Sequence, residues 1–189
     1  MVGETTTMKE VFTKLNNYEE VKGKLHLRLV REDGGAVSRS AAEYGFEDLV
    51  LVPTVENILD DEDGQITSCK VNESLAKSWG MTVGEVFDQA MENTKADYEI
   101  MPMMDILSVL MGINPEEMEA MEQVPMLVIT NKAKMHGASA IIPAASELRK
   151  RFPEGYMVIP SSVHEVIVVK RDDVDAAEMA NIIQEVNKD

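Results

Sequence analysis

Two serines, a histidine and a glutamate (Ser161, Ser162, His164 and Glu165) fall close together in the stretch VIPSSVHEVIVV, residues 158–169. A serine with a histidine nitrogen in reach is the beginning of a nucleophile–base pair, and a third group must then orient the ring. Ser162 and His164 are near enough in sequence to meet. Glu165 is the nearest acid, but adjacent side chains of an extended chain point to opposite faces, so it is badly placed to hold the ring. No G-x-S-x-G elbow presents either serine at a helix start. The same residues also suit a turn. Pro160 has no N–H to give to a ladder, and serines readily bond their own backbone. SSVHE therefore reads as a turn between strands at 156–160 and 165–170. The alternative is a hydrolase-like or small-ligand-binding enzyme centred on Ser161, Ser162, Val163 and His164. Lys132, Lys134 and His136 of the basic turn KAKMHG are candidate ligand contacts beside it.

Metal chemistry has less support. His26, His136 and His164 are scattered without H-E-x-x-H spacing, and Cys69 is the only cysteine, so no cysteine-based zinc cluster and no intrachain disulfide can form. The acidic run DDEDG suggests a calcium loop, but placing Gly64 at the sixth position puts Leu59 first and Lys70 twelfth, where acids are required. A solvated turn fits better. No glycine-rich phosphate loop is present, and no metal or cofactor is expected.

The balance of 34 acidic against 18 basic residues gives a net charge of −16. Such a chain repels phosphate backbones and anionic lipid surfaces, which argues against nucleic-acid and membrane partners. No apolar run is long enough to span a bilayer, and MVGETTTMKEVF lacks the pattern of a signal peptide. A single cysteine suits a reducing cytoplasm.

The elements that must position these residues are legible in outline. Helical spacing in MKEVFTKLNNYEEVKG predicts one or two short helices, a helical appendage over residues 1–23. KLHLRLVRE alternates as a strand with His26 on its polar, solvated face. Residues 32–46, with three glycines, read as a floppy loop, with a helical turn as an option within it. Residues 48–57 and 65–71 read as a β-hairpin, with Pro53 placing its first strand at an edge or a bulge. A short helix begins near Asn72 and ends at Gly80; Thr82 and Glu85 form a capping box for a second, with Val83, Val86, Phe87, Ala90 and Met91 on one face and Trp79 packed between the two helices.

Residues 100–126 are methionine-rich and helical, with a stripe through Ile106, Leu107, Leu110 and Met111 and a second, acidic helix starting near Pro115. Methionine fills irregular gaps and also suits adaptable interfaces. Met101, Met103, Met104, Met111, Met118 and Met121 are therefore candidate contacts with a protein partner or a second copy. The last third reads as strands at 126–131, 138–143, 156–160 and 165–170, with short helices at 144–152 and 173–187. Strands joined by short turns are most simply antiparallel. One α+β domain over residues 1–189 is expected, its largely antiparallel sheet of about six or seven strands carrying packed helices.

The blocks VNESLAKSWGMTVGEVFDQAMENT, PMLVITNKAKMHGASAII and YMVIPSSVHEVIVV, in this order, resemble an uncharacterised domain-of-unknown-function family of anaerobic gut bacteria. The likeness runs from about Tyr18 to Asn187. A more distant similarity is to the YtpQ-like family, which shares a helix-pair block and a late strand pair with a proline–histidine turn. Neither resemblance implies an activity. The first implies further sequence on both sides, so the chain is read as a fragment or a shorter variant. Its recurring late motif falls on Pro160 to Glu165, where it marks a site or a demanding turn. The leading expectation is a non-enzymatic cytoplasmic module that binds a protein or itself.

Overall fold

A computed structural model describes residues 2–59, 67–111 and 126–173. It has two compact units, Met1–Asp97 and Tyr98–Asp189, each with its own antiparallel sheet. The fold is α+β, with the strands divided between two four-stranded sheets.

In the first unit, helices α1 (Val2–Asn16) and α2 (Tyr18–Val21) precede strand β1 (Leu25–Val30). Strands β2 (Arg39–Ser40), β3 (Val50–Val55) and β4 (Cys69–Lys70) follow, then helices α3 (Glu73–Ser78) and α4 (Val83–Asp97). Alternation in LHLRLV buries Leu25 and Leu27 and turns His26 and Arg28 outward. His26 is nevertheless half-buried, with Nε2 3.9 Å from the Asp97 carboxylate. β3 is the central strand, paired with β1 on one side. On the other side β2 takes Val50 and Leu51, and β4 takes Thr54 and Val55.

Pro53, expected at an edge or bulge, thus sits in the middle of a central strand. This is possible because its missing N–H falls in the gap between two short neighbours. Residues 32–46 are more ordered than their glycines suggest: β2 lies within them, and Val37 and Ala41 are buried.

The capping box forms as its spacing predicts. The Thr82 N–H donates to Glu85 Oε2 at 2.8 Å, and the Glu85 N–H returns a bond to Thr82 Oγ1 at 3.3 Å. α4 then packs on β1 and β3 through Val86, Phe87, Ala90 and Thr94. Val83 is exposed and Met91 half-buried, so the buried face is rotated toward Thr94 relative to the expected stripe. Trp79 faces the N-terminal helices: its Nε1–H donates to the Leu15 carbonyl at 2.6 Å and its ring lies 5.6 Å from that of Tyr18.

The second unit contains β5 (Tyr98–Pro102), α5 (Met103–Met111), β6 (Met126–Asn131), α6 (Ile141–Arg151), β7 (Tyr156–Pro160) and β8 (Val166–Lys170). The sheet order is β5-β6-β8-β7. Leu127, Val128, Ile129 and Thr130 are all buried, so both faces of β6 are covered. α5 and α6 both pack on β5 and β6. β5 was not anticipated, since its five residues precede a helix of similar apolar content.

The larger correction concerns residues 138–143, expected as a strand. A 3₁₀ turn at Gly137–Ala140 leads into α6, which buries Ile141, Ile142, Ala144 and Leu148. Pro143 occupies its first turn, where a missing N–H costs nothing. The expected helices at 115 and 173–187 and the DDEDG turn lie largely or wholly outside the described residues. Among the described residues, no helix is long and apolar enough to cross a membrane.

Candidate functional site

The antiparallel pairing of β6 with β8 sets Ile129 opposite Val166, so the segment after Asn131 and the turn before Val166 meet at one end of the second sheet. Lys132, Lys134 and His136 lie on the first loop; Ser161, Ser162, His164 and Glu165 lie on the second. The fold brings the two candidate groups together. His26 belongs to the first unit.

The first loop is clasped by Asn131. Its Nδ2 donates to the Met135 carbonyl at 2.8 Å and its Oδ1 accepts the Met135 N–H at 3.0 Å. Lys134 and His136 both adopt the left-handed conformation, with φ of 54° and 52°. This reverses the chain within a few residues and turns Gly137 into the second loop. A Cβ on Gly137 would come 2.5 Å from the Asn131 nitrogen, 2.6 Å from Thr130 Oγ1 and 2.8 Å from the His164 carbonyl oxygen. Only glycine allows so close an approach of the two loops.

Within the second loop, the Ser162 N–H donates to the Glu165 carbonyl at 3.2 Å, closing the turn. The His164 N–H donates to Ser162 Oγ at 3.0 Å. Ser161 Oγ donates to Glu165 Oε1 at 3.4 Å. Three bonds then join the loops. Thr130 Oγ1 donates to the His164 carbonyl at 2.8 Å, the Ala138 N–H to the Val163 carbonyl at 3.3 Å, and the His136 N–H to His164 Nδ1 at 3.0 Å. The two imidazole centroids are 5.3 Å apart with their planes 37° off parallel.

This network assigns the ring's tautomer. A neutral imidazole has one acceptor nitrogen, and His164 uses it on a backbone N–H, which puts its proton on Nε2. Ser162 Oγ meets the backbone of His164, and Glu165 is bonded to Ser161. The nucleophile, base and orienting acid of a hydrolytic triad are neighbours here without being connected in that order.

Thr130 and Asn131 were missed in the sequence, although a polar pair closing an apolar strand was a usable signal. Buried polar side chains need partners, and both supply structure to the loops. Among the described residues, no group of three or more histidine, cysteine or acidic side chains could hold a metal ion.

Of the methionine candidates, Met101 is in β5 opposite Val128, and Met103 and Met104 open α5, all half-buried. Met111 ends α5, while Met118 and Met121 lie outside the described residues. The first unit also has a cleft of about 590 Å³ between the 33–38 loop and the starts of α3 and α4. On its wall, the N–H of Gly35 and then the hydroxyl of Ser38 hold the Asp33 carboxyl below its ordinary range.

A family model described as a family of unknown function (DUF5688) matches residues 2–189. The chain belongs to that family. Its match takes in all three blocks quoted above, including both loops of the site. No curated protein and no solved structure matches the chain.

Proposed function

We propose that this member of the family is a non-catalytic module that acts by binding a protein partner or a second copy of itself. One observation carries the reading: the single acceptor nitrogen of His164 is engaged by the His136 N–H, which leaves the ring no lone pair with which to deprotonate a serine. The surface of α5 supports the binding half. Val109 is 82% exposed there, and Met103, Met104 and Ile106 of the same helix are only half-buried. The single cysteine and the net charge of −16 support a cytoplasmic setting. A source among anaerobic gut bacteria, resting on the three quoted blocks, and a distant kinship with the YtpQ-like family, resting on the helix pair and the late strand pair with its proline–histidine turn, belong to the same reading.

Two measurements test it. Screening against ester, peptide and phosphoester substrates should detect no turnover that Ser161→Ala or Ser162→Ala abolishes. Sedimentation should reveal concentration-dependent association that Val109→Asp weakens at least about tenfold, as expected for a charge placed in an apolar contact. Turnover lost in either serine variant at unchanged thermal stability would replace the module with an enzyme. A second reading, a small-ligand site on the same loops, is favoured by Lys132, Lys134, Ser161 and Ser162, which are exposed on both sides of the histidine pair. Amide shifts confined to 131–138 and 160–165 on titration with inorganic phosphate would select it.

A further inference from the structure

We propose that the contact between His136 and His164 is a proton-operated latch, closed when His164 is neutral and opened when it takes up a proton. The inference stands on geometry alone and does not depend on what the protein binds. His164 Nδ1 accepts a backbone N–H at 3.0 Å. Protonation turns that acceptor into a second donor, so two N–H groups then face each other across the bond. The bond cannot survive this by small adjustment. The loops approach closely beside it, since a Cβ on Gly137 would come within 2.8 Å of the His164 carbonyl oxygen. His136 is held in the left-handed region at φ 52°, a conformation that costs free energy for a non-glycine residue and is maintained only by its surroundings. Losing its N–H bond removes one of the contacts that maintain it.

Lys132, Lys134 and His136 share the loop after β6, with the His136 imidazole centred 5.3 Å from that of His164. Glu165 is the acid of the same turn as His164, its carboxylate accepting from the Ser161 hydroxyl. The hydrogen-bond reversal acts at the His136–His164 bond itself. Thr130 Oγ1 to the His164 carbonyl, and Ala138 N–H to the Val163 carbonyl, do not change with proton uptake. The loops therefore stay tethered on both sides of the His136–His164 contact, and the change is local to it. What proton uptake releases is the His136 N–H and the His164 ring, the two half-buried groups between side chains of Lys134, Ser161 and Ser162 that are exposed in either state.

The test follows the His136 amide and the His164 ring in the same full-length sample by NMR, from about pH 7.5 to about pH 5, the range in which imidazoles titrate. The expected result is an amide protection factor that falls about tenfold or more, with a midpoint coinciding with the change in the His164 imidazole nitrogen shifts. Protection at Ile129 and Val168 in the strands should remain constant, showing that the unit stays folded. In His164→Asn the carboxamide oxygen stands in for Nδ1 and cannot be protonated, so protection at His136 should become independent of pH. Flat wild-type protection would overturn the latch. So would a fall whose midpoint departs from the His164 ring titration, or a pH dependence that persists unchanged in His164→Asn.

Discussion

The hydroxyl of Thr94, inside helix α4, accepts the backbone N–H of Leu27 at 3.0 Å and donates to the Ala90 carbonyl at 2.7 Å. Both residues are buried. Among the described residues β1 pairs with β3 alone, and on its other edge Thr94 receives the Leu27 N–H. Thr94→Val keeps the shape of the side chain and deletes the acceptor. It should destabilise the first unit by about 1–3 kcal/mol, measured by urea unfolding, whereas Thr94→Ser should recover most of the loss.

Gly137→Ala tests the docking of the two loops. The added methyl meets two backbone atoms and a hydroxyl, none at the end of a flexible side chain. Overpacking of this kind costs about 1–3 kcal/mol. The expected signature is a lowered unfolding midpoint with amide shift changes concentrated at 130–138 and 162–165. Wild-type stability in this variant would show that the loops can part at no cost.

Glu85 gives a pH dependence with a definite sign. The Thr82 N–H, and then its hydroxyl, bond the carboxylate and hold its titration below the ordinary value of 4.5. The charged form is thus favoured in the folded state. Its contribution is fully present above the ordinary value and disappears as pH falls through the depressed one. The difference in melting temperature between wild type and Glu85→Gln should be largest near neutrality and close to zero in strong acid. A difference that grows on acidification would contradict the capping geometry.

What could be read in the sequence depended on how far each signal reached along the chain. The capping box of Thr82 and Glu85 and the alternation of Leu25 and Leu27 are local, and both appear in the structure. The turn at 161–165 was legible for the same reason, because Pro160 and the serines act on their own backbone. ASAIIP was misread because six apolar or small residues fit a buried strand and a buried helix equally; Pro143 in a first turn was the usable discriminator. The pairing of His136 with His164 spans 28 residues and required the β6–β8 register, which no local pattern encodes. Division of the strands between two sheets is likewise a matter of long-range pairing.

Pro53 has a consequence for how the protein behaves among its own kind. β3 is a buried, β-branched run of the sort that templates intermolecular growth, and among the described residues its second side is paired at the two ends, by β2 and β4. An invading chain would have to pair at the gap. There it meets a residue with no N–H to offer, whose carbonyl is already bound to the Val71 N–H at 2.9 Å. A proline placed so is the kind of residue that withholds a strand from intermolecular pairing, and here it does so only when the buried β3 is uncovered.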